Sequence, residues 1–183
     1  MNLLKTILLL GAAFLAVFWE AAFSGLRRAL GGQIDLLAPL MVYAGLCAGL
    51  PTIALLAAWS GLCLDSLSAT PLGISVVPLF LVGLAVYGSR ELVLRDQAFA
   101  QALLGLAAGA AVPVLTLILL LTTGHRPLLG WGTLWQVAIT GVAGALLTPP
   151  CFILFDGLHN WLAHARAAET SFRPDREIRR GRG

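Results

Sequence analysis

The sequence predicts an all-α, polytopic membrane helix bundle. Of its 183 residues 58% are hydrophobic and only 11% are charged, whereas an ordinary soluble domain has roughly 25% charged residues. Four runs contain no Asp, Glu, Lys or Arg, and each exceeds the about 20 residues that a membrane-spanning helix needs. These runs are 36–64, 66–89, 97–125 and 127–155. The composition therefore excludes a free-standing soluble enzyme.

A further apolar segment, 3–23, lies at the N-terminus and carries only Lys5 and Glu20, both near its ends. A lysine before an apolar stretch also resembles the beginning of a secretory signal peptide. Glu20, however, lies in the region where a signal peptidase would cut. We therefore interpret this segment as an uncleaved first helix.

The run 36–64 decides how many helices cross the membrane. As one helix it would be about 43 Å long, well over the hydrocarbon core of about 30 Å. Pro51 lies in its middle and removes a helical hydrogen bond, and we expect a turn over 49–52. The run is either one tilted, kinked helix, which gives five spans, or two short helices, 35–50 and 52–67, which give six.

The distribution of Lys and Arg does not separate these two topologies. Basic residues in short loops favour the cytoplasmic side. Six spans place nine of the 12 basic residues inside, and five spans place ten there. Both topologies put the loop 90–96, which holds Arg90 and Arg95, and the C-terminal tail in the cytoplasm.

Thr70 and Pro71 predict the start of the next helix, because Thr is a common N-cap and Pro is favoured at the first helical position. The predicted helix is 71–89. A following helix, 98–123, contains Pro113, where we expect a kink.

The last predicted helix begins near Trp131 and meets Pro149 and Pro150. Two adjacent prolines should kink or break it. Beyond them, 151–168 can continue as helix.

The helices make one transmembrane domain, 1–168, followed by a basic cytoplasmic tail, 169–183. The tail is rich in arginine, including Arg176, Arg179 and Arg180. It is either a disordered, positive-inside signal or a contact for anionic lipid headgroups or an acidic cytoplasmic partner.

The residue patterns of common catalytic and metal sites are missing. The three cysteines are far apart, no serine lies in a Gly-x-Ser-x-Gly context, and no glycine-rich phosphate loop is present. These patterns mark zinc sites, hydrolases and nucleotide sites. We therefore expect a protein that is not an enzyme, with no catalytic residue, metal or cofactor, and with lipid rather than nucleic acid around it.

Asp65 stands between two long uncharged runs. A carboxylate costs up to about 3 kcal/mol near the bilayer centre and much less at the interface. Either Asp65 ends a helix and bonds to Ser66, Ser68 or Thr70 in the turn, or it contacts a partner chain, for example as an ion pair with an arginine. Two Gly-x-x-x-Gly pairs, Gly45 with Gly49 and Gly105 with Gly109, favour close helix packing.

The segment 61–73 resembles MreD, a family of bacterial rod shape-determining membrane proteins. Members carry a similar Gly-x-x-Leu-Asp-x-x-Ser-x-x-x-Leu-Gly segment, and Thr70 and Pro71 lie within the stretch that matches it here. The matching residues are Gly61, Leu64, Asp65, Ser68, Leu72 and Gly73. Chain length, the number of spans and the basic loop after the next helix fit the family as well.

The resemblance implies six spans in a fold similar to the substrate-binding subunits of energy-coupling-factor transporters. It implies a non-catalytic scaffold in the bacterial inner membrane that supports lateral peptidoglycan synthesis. The implied partners are an MreC-like membrane protein, MreB filaments, RodA and a penicillin-binding synthase. Because of the implied fold, the alternative is a small-molecule, vitamin-type binding subunit of a membrane transporter.

Overall fold

The computed structural model describes residues 3–22, 32–68, 71–91, 97–124 and 130–170, with side chains from residue 5 to residue 158. Within these ranges every regular element is an α-helix, so the all-α prediction is confirmed. The helices are α1 (Leu3–Ala22), α2 (Leu37–Cys47), α3 (Leu50–Leu67), α4 (Val76–Ser89), α5 (Ala98–Thr122) and α6 (Trp131–Thr170).

Four of the helices contain a stretch that is long and apolar enough to cross a membrane. These stretches are Lys5–Ala22, Leu50–Leu67, Ala98–Thr122 and Trp131–Leu158. Helices α2 and α4 are apolar but shorter, with 11 and 14 residues. Together the helices indicate a multi-pass membrane protein.

The run 36–64 forms two helices rather than one kinked helix. After α2 the backbone is extended at Ala48 and Gly49, with ψ of 173° and 162°. Pro51 lies in the first turn of α3, where its missing N–H has no helical partner to lose. The turn expected over 49–52 is the first turn of α3, in which the Gly49 carbonyl accepts the N–H of Thr52 at 3.0 Å. The break between the helices precedes it, so Pro51 belongs to the new helix.

The predicted start of the fourth helix at Pro71 was wrong, since α4 begins at Val76. Gly73 adopts φ of +94°, which a right-handed helix does not allow. The predicted cap, Thr70, lies outside the described residues. The end of this helix at Ser89 agrees with the prediction.

Helices α5 and α6 both continue through their prolines. Pro113 lies inside α5, and Pro149 and Pro150 lie inside α6. Of the two alternatives expected at Pro149 and Pro150, the helix break is therefore wrong. The kink stays a prediction.

Helix α2 lies in the centre of the bundle. Its residues from Leu37 to Gly45 are all buried, and it packs against α1, α3, α4 and α5. Because neighbours surround α2, its sequence is apolar on every face and shows no amphipathic stripe. Helix α4 packs against α2, α3 and α5.

Glycines bring α5 and α6 into close contact. A Cβ atom at Gly105 would collide with the Gly144 carbonyl, and one at Gly109 would collide with the Thr140 carbonyl. This pair therefore packs as predicted. Gly45 lies against Val86 of α4, but Gly49 precedes α3, so the pair of Gly45 and Gly49 does not share one helix.

The chain divides into two compact units, Met1–Phe152 and Ile153–Gly183. The first contains the packed bundle, in which the rings of Tyr43 and Phe152 meet edge to face with centroids 5.0 Å apart. The second contains the last part of α6. The division at 168 and 169 that we expect from the sequence stays a prediction.

Candidate functional site

Asp65 lies in the last turn of α3 and is only 2% exposed. Its Oδ2 atom accepts the backbone N–H of Gly73 at 2.8 Å and that of Ser75 at 3.1 Å. Its backbone carbonyl accepts the N–H of Ser68 at 3.2 Å. One residue thus pairs backbone groups on both sides of the connection between α3 and α4, a unit that we call the Asp65 hairpin (50–89).

The start of α4 offers an electrostatically favourable place for the carboxylate. Ser75 directly precedes the first residue of α4, and the first N–H groups of a helix have no partners within it. The helix dipole also places partial positive charge there. Asp65 therefore bonds within its own chain at the end of α3, as the turn interpretation expects, but its carboxylate reaches Gly73 and Ser75, beyond the expected partners Ser66, Ser68 and Thr70.

Two glycines complete the Asp65 hairpin. A Cβ atom at Gly61 would lie 2.8 Å from the backbone N and Cα of Val76, so only glycine lets α3 approach the start of α4 this closely. Gly73 supplies the positive φ described above. Leu64 is half-buried, while the exposed members of the motif are Ser68, Pro71 and Leu72.

Of the predicted cytoplasmic basic residues, Arg90 lies within the described part of the chain. It is exposed just after α4, and its guanidinium carbon lies 4.1 Å from the ring centre of Tyr87. This is a cation–π contact within the chain. The other predicted basic residues lie outside the described residues: Arg95, Arg176, Arg179 and Arg180.

A short non-helical segment, 32–36, directly precedes α2. The N–H of Gln33 donates to Oε1 of Gln136 at 2.9 Å, and the carbonyl of Gln33 accepts from Nε2 of Gln136 at 2.9 Å. Non-helical backbone in a membrane protein needs such partners, because lipid offers none. The side chain of Gln136 therefore replaces the hydrogen bonds that a helix would have supplied.

Two carboxylates, Glu20 and Asp35, bind the same segment, and we call them the acid pair. Glu20 accepts the N–H of Leu36 at 2.6 Å and the amide of Gln33 at 3.5 Å. Asp35 accepts the N–H groups of Leu37 at 2.8 Å and Ala38 at 3.4 Å. Asp35 thereby caps the first turn of α2.

The environment of Asp35 disfavours its charged form. Burial raises the pKa of this carboxyl group above its ordinary value of 3.8, and the hydrogen bonds from Leu37 and Ala38 partly oppose that shift. Desolvation penalises a carboxylate much more than a neutral acid. A bound proton or a nearby cation would relieve this cost.

The acid pair faces a cavity of about 640 Å³. Its lining comes from the C-terminal parts of α1, α3 and α5 and from the beginnings of α2, α4 and α6. These six helix ends therefore lie at the same end of the bundle. On α6 the lining reaches from Gly132 to Thr140, about 12 Å along the helix. The volume lies within the range of small-molecule sites, which is roughly 300–1,000 Å³.

Sequence reasoning did not identify this cavity. Glu20 and Asp35 are the polar ends of two apolar segments, and Gln136 is one amide in a long uncharged run. The local signal for the cavity is a carboxylate near the end of an apolar helix. The juxtaposition of Gln33 with Gln136 has no local signal.

Comparison of the chain with protein-family models, with curated proteins and with solved structures finds no match. The likeness of 61–73 to MreD therefore remains a resemblance in sequence.

Proposed function

We propose that this chain is a non-catalytic scaffold of the bacterial cell-wall elongation complex, which supports rod shape and lateral peptidoglycan synthesis by binding an MreC-like membrane protein. The observation that supports the proposal is the Asp65 hairpin. Gly61, Asp65 and Gly73, which carry the MreD-like motif, act together in one structural unit. Residues that contact one another in one structural unit make the likeness to the MreD motif more specific than the same residues would if they were scattered over the surface.

The proposed scaffold works through contacts between helices in lipid. Outward side chains are apolar, as with Phe18 of α1, 61% exposed, and Leu103 of α5, 58% exposed. Helices associate in a bilayer through close packing, so a transmembrane segment of the MreC-like partner would pack on such a face. In the proposed six-span topology the basic loop and tail face MreB in the cytoplasm of the inner membrane, while RodA and the penicillin-binding synthase are reached through the complex.

Site-directed photocrosslinking in bacterial membranes tests this proposal. A photoreactive amino acid replaces Phe14, Phe18 or Leu103, which are exposed, and Leu56 of α3, which is 1% exposed, serves as the buried control. We expect crosslinks to an MreC-like protein from at least one exposed position and none from Leu56. Failure at every exposed position, together with no co-purification in mild detergent, would contradict the scaffold function.

The cavity supports a second candidate, a vitamin-type small-molecule binding subunit of a membrane transporter. Such a site needs a concave volume with a few polar groups, and the cavity combines the acid pair with apolar walls. Mass spectrometry of the purified, undenatured protein tests it. A stoichiometric bound molecule supports this candidate, and an empty protein from cells that contain the vitamins counts against it.

A further inference from the structure

We propose that the cavity binds an organic cation, a molecule that carries an ammonium or guanidinium group on an apolar body, with its cationic group between Glu20 and Asp35. The juxtaposition that supports this is an acid pair in the lining of a cavity whose other walls combine leucine, valine and proline side chains with uncharged polar groups. The inference is independent of the scaffold function. The second candidate function, a small-molecule binding subunit, rests on the same cavity, and the inference names a class of ligand for it.

The charge of the acid pair is not required by the backbone that it binds. Glu20 and Asp35 accept N–H groups of the segment 32–38, and the amide oxygens of Gln and Asn would accept the same bonds. Two carboxylates in a partly buried site instead add a desolvation cost and mutual repulsion. Of the lining residues that the structure describes, these two are acidic and none is basic. A cation from outside the chain would therefore stabilise the ionised forms of Glu20 and Asp35, which no basic residue of the described lining does.

Both carboxylates retain acceptor capacity for such a ligand. Oδ1 of Asp35 takes both N–H groups of the helix cap, and Oδ2 takes no hydrogen bond from the described residues. Within the described ranges, Oε2 of Glu20 has only the long 3.5 Å contact with Gln33. Ionised carboxylates offer about four acceptor positions each, so an ammonium group with its three donors finds partners on both residues.

The rest of the cavity fits an apolar body. Leu64, Leu79, Val112, Leu117 and Leu120 form much of its wall. Burial of apolar surface contributes roughly 25 cal/mol per Å², while the acid pair fixes the orientation of the ligand. An ammonium group beside an apolar chain occurs both in free amines and in lipids with an ethanolamine headgroup, so the test has an arm for each source.

The test uses the full chain, purified in a non-ionic detergent, with n-hexylammonium as the probe and 1-hexanol as its neutral counterpart, both followed by isothermal titration calorimetry. We expect n-hexylammonium to bind at least tenfold more tightly than 1-hexanol. Glu20→Gln and Asp35→Asn should each weaken its binding about tenfold, the loss typical of a hydrogen bond to a charged group. The exposed carboxylate of Glu91 lies outside the cavity lining, so Glu91→Gln, the matched control, should bind as the wild type does.

A further variant keeps the test decisive if the acid-pair variants do not fold. Leu117→Trp fills the cavity and leaves both carboxylates in place, so it should abolish binding of n-hexylammonium. Equal affinity for n-hexylammonium and 1-hexanol, or unchanged binding by folded Glu20→Gln and Asp35→Asn, overturns the proposal. Either result would remove this ligand class without affecting the search for a vitamin in the purified protein.

Binding measurements in nanodiscs distinguish the two sources of the cation, a free amine and an ethanolamine lipid. If an ethanolamine lipid occupies the cavity, replacing phosphatidylcholine by phosphatidylethanolamine at a constant content of anionic lipid in the discs will weaken n-hexylammonium binding. Equal, charge-selective binding in both kinds of disc assigns the site to a free amine.

Discussion

Gly73 donates its backbone N–H to Oδ2 of Asp65 at 2.8 Å, although the two residues are eight positions apart. Because Ser75 donates to the same oxygen, one buried carboxylate holds the connection between α3 and α4 in place. The acid, the residue with positive φ and the start of α4 therefore form a single structural unit. An acidic side chain within an apolar chain is here explained by backbone groups that need an acceptor.

We expect Asp65→Leu to lower the free energy of unfolding substantially, because it leaves the N–H groups of Gly73 and Ser75 without their acceptor. Each unpaired buried group costs about 1–3 kcal/mol. Asp65→Asn should cost less, since its amide oxygen still accepts. Thermal unfolding in detergent measures both. A stable Asp65→Leu protein that has lost its crosslinks to an MreC-like partner would instead favour the partner-contact interpretation.

We expect Gly73→Ala to destabilise the protein by about 1–2 kcal/mol, the cost of a left-handed conformation for a residue with a Cβ. Steric crowding does not contribute, because nothing lies within 4 Å of an added Cβ. Gly88 in α4 is the matched control, since its Cβ would also meet open space but its φ is not positive. Gly88→Ala should leave the midpoint of thermal unfolding unchanged or slightly higher. Equal midpoints for the two variants would disagree with the backbone described for Gly73.

We expect Gly105→Ala to destabilise the protein by about 1–3 kcal/mol, the usual cost of overpacking. The new methyl group would collide with the backbone of Gly144 and force α5 and α6 apart. Gly11→Ala in α1 is the control, because its Cβ would meet nothing within 4 Å. Denaturant unfolding in mixed micelles compares the two, and equal losses would show that α5 and α6 do not pack at Gly105.

We expect a pH-dependent gain in stability from Asp35→Asn. Burial raises the folded-state pKa of Asp35 above 3.8, so the protonated form is the one that folding favours. Its stabilising contribution is complete below pH 3.8 and is lost as the pH rises through the folded-state pKa. Asparagine keeps the cap on Leu37 and does not titrate.

Unfolding of both proteins in detergent between about pH 4 and pH 8 checks this expectation. The advantage of Asp35→Asn over the wild type should grow as the pH rises. A difference that stays constant with pH would mean that Asp35 has the same pKa in the folded and the unfolded chain.

We expect six spans with both termini in the cytoplasm, since α2 and α3 are separate helices and basic residues favour the inside. A reporter that is active only in the periplasm should be silent when fused after Gly183 and active when inserted between Gly31 and Gln33. Silence at the second position would favour five spans.

Much of the helical architecture follows from the sequence because uncharged runs and prolines are local signals. Pro51 marks the region where α2 and α3 separate, although the residues alone allowed one kinked helix as well as two. The ends of α4 and α5 fall within a residue of the prediction. The start of α4 was misplaced because Gly73 and Asp65, eight residues apart, override the local preference of Pro71 for a helix start. The cavity was not predicted because it also depends on contacts between residues that are distant in sequence. Gln33 and Gln136, for example, meet only in the folded bundle.

The reciprocal pair of Gln33 and Gln136 also constrains the order of assembly. These residues are 103 positions apart, so at about 5–20 residues per second a ribosome needs roughly 5–20 s to make the partner after it has made Gln33. During that time the segment 32–36 has no amide from α6 and depends on water or on the insertion machinery for its hydrogen bonds. The polar end of the bundle is therefore completed late in biogenesis, when the last helix arrives.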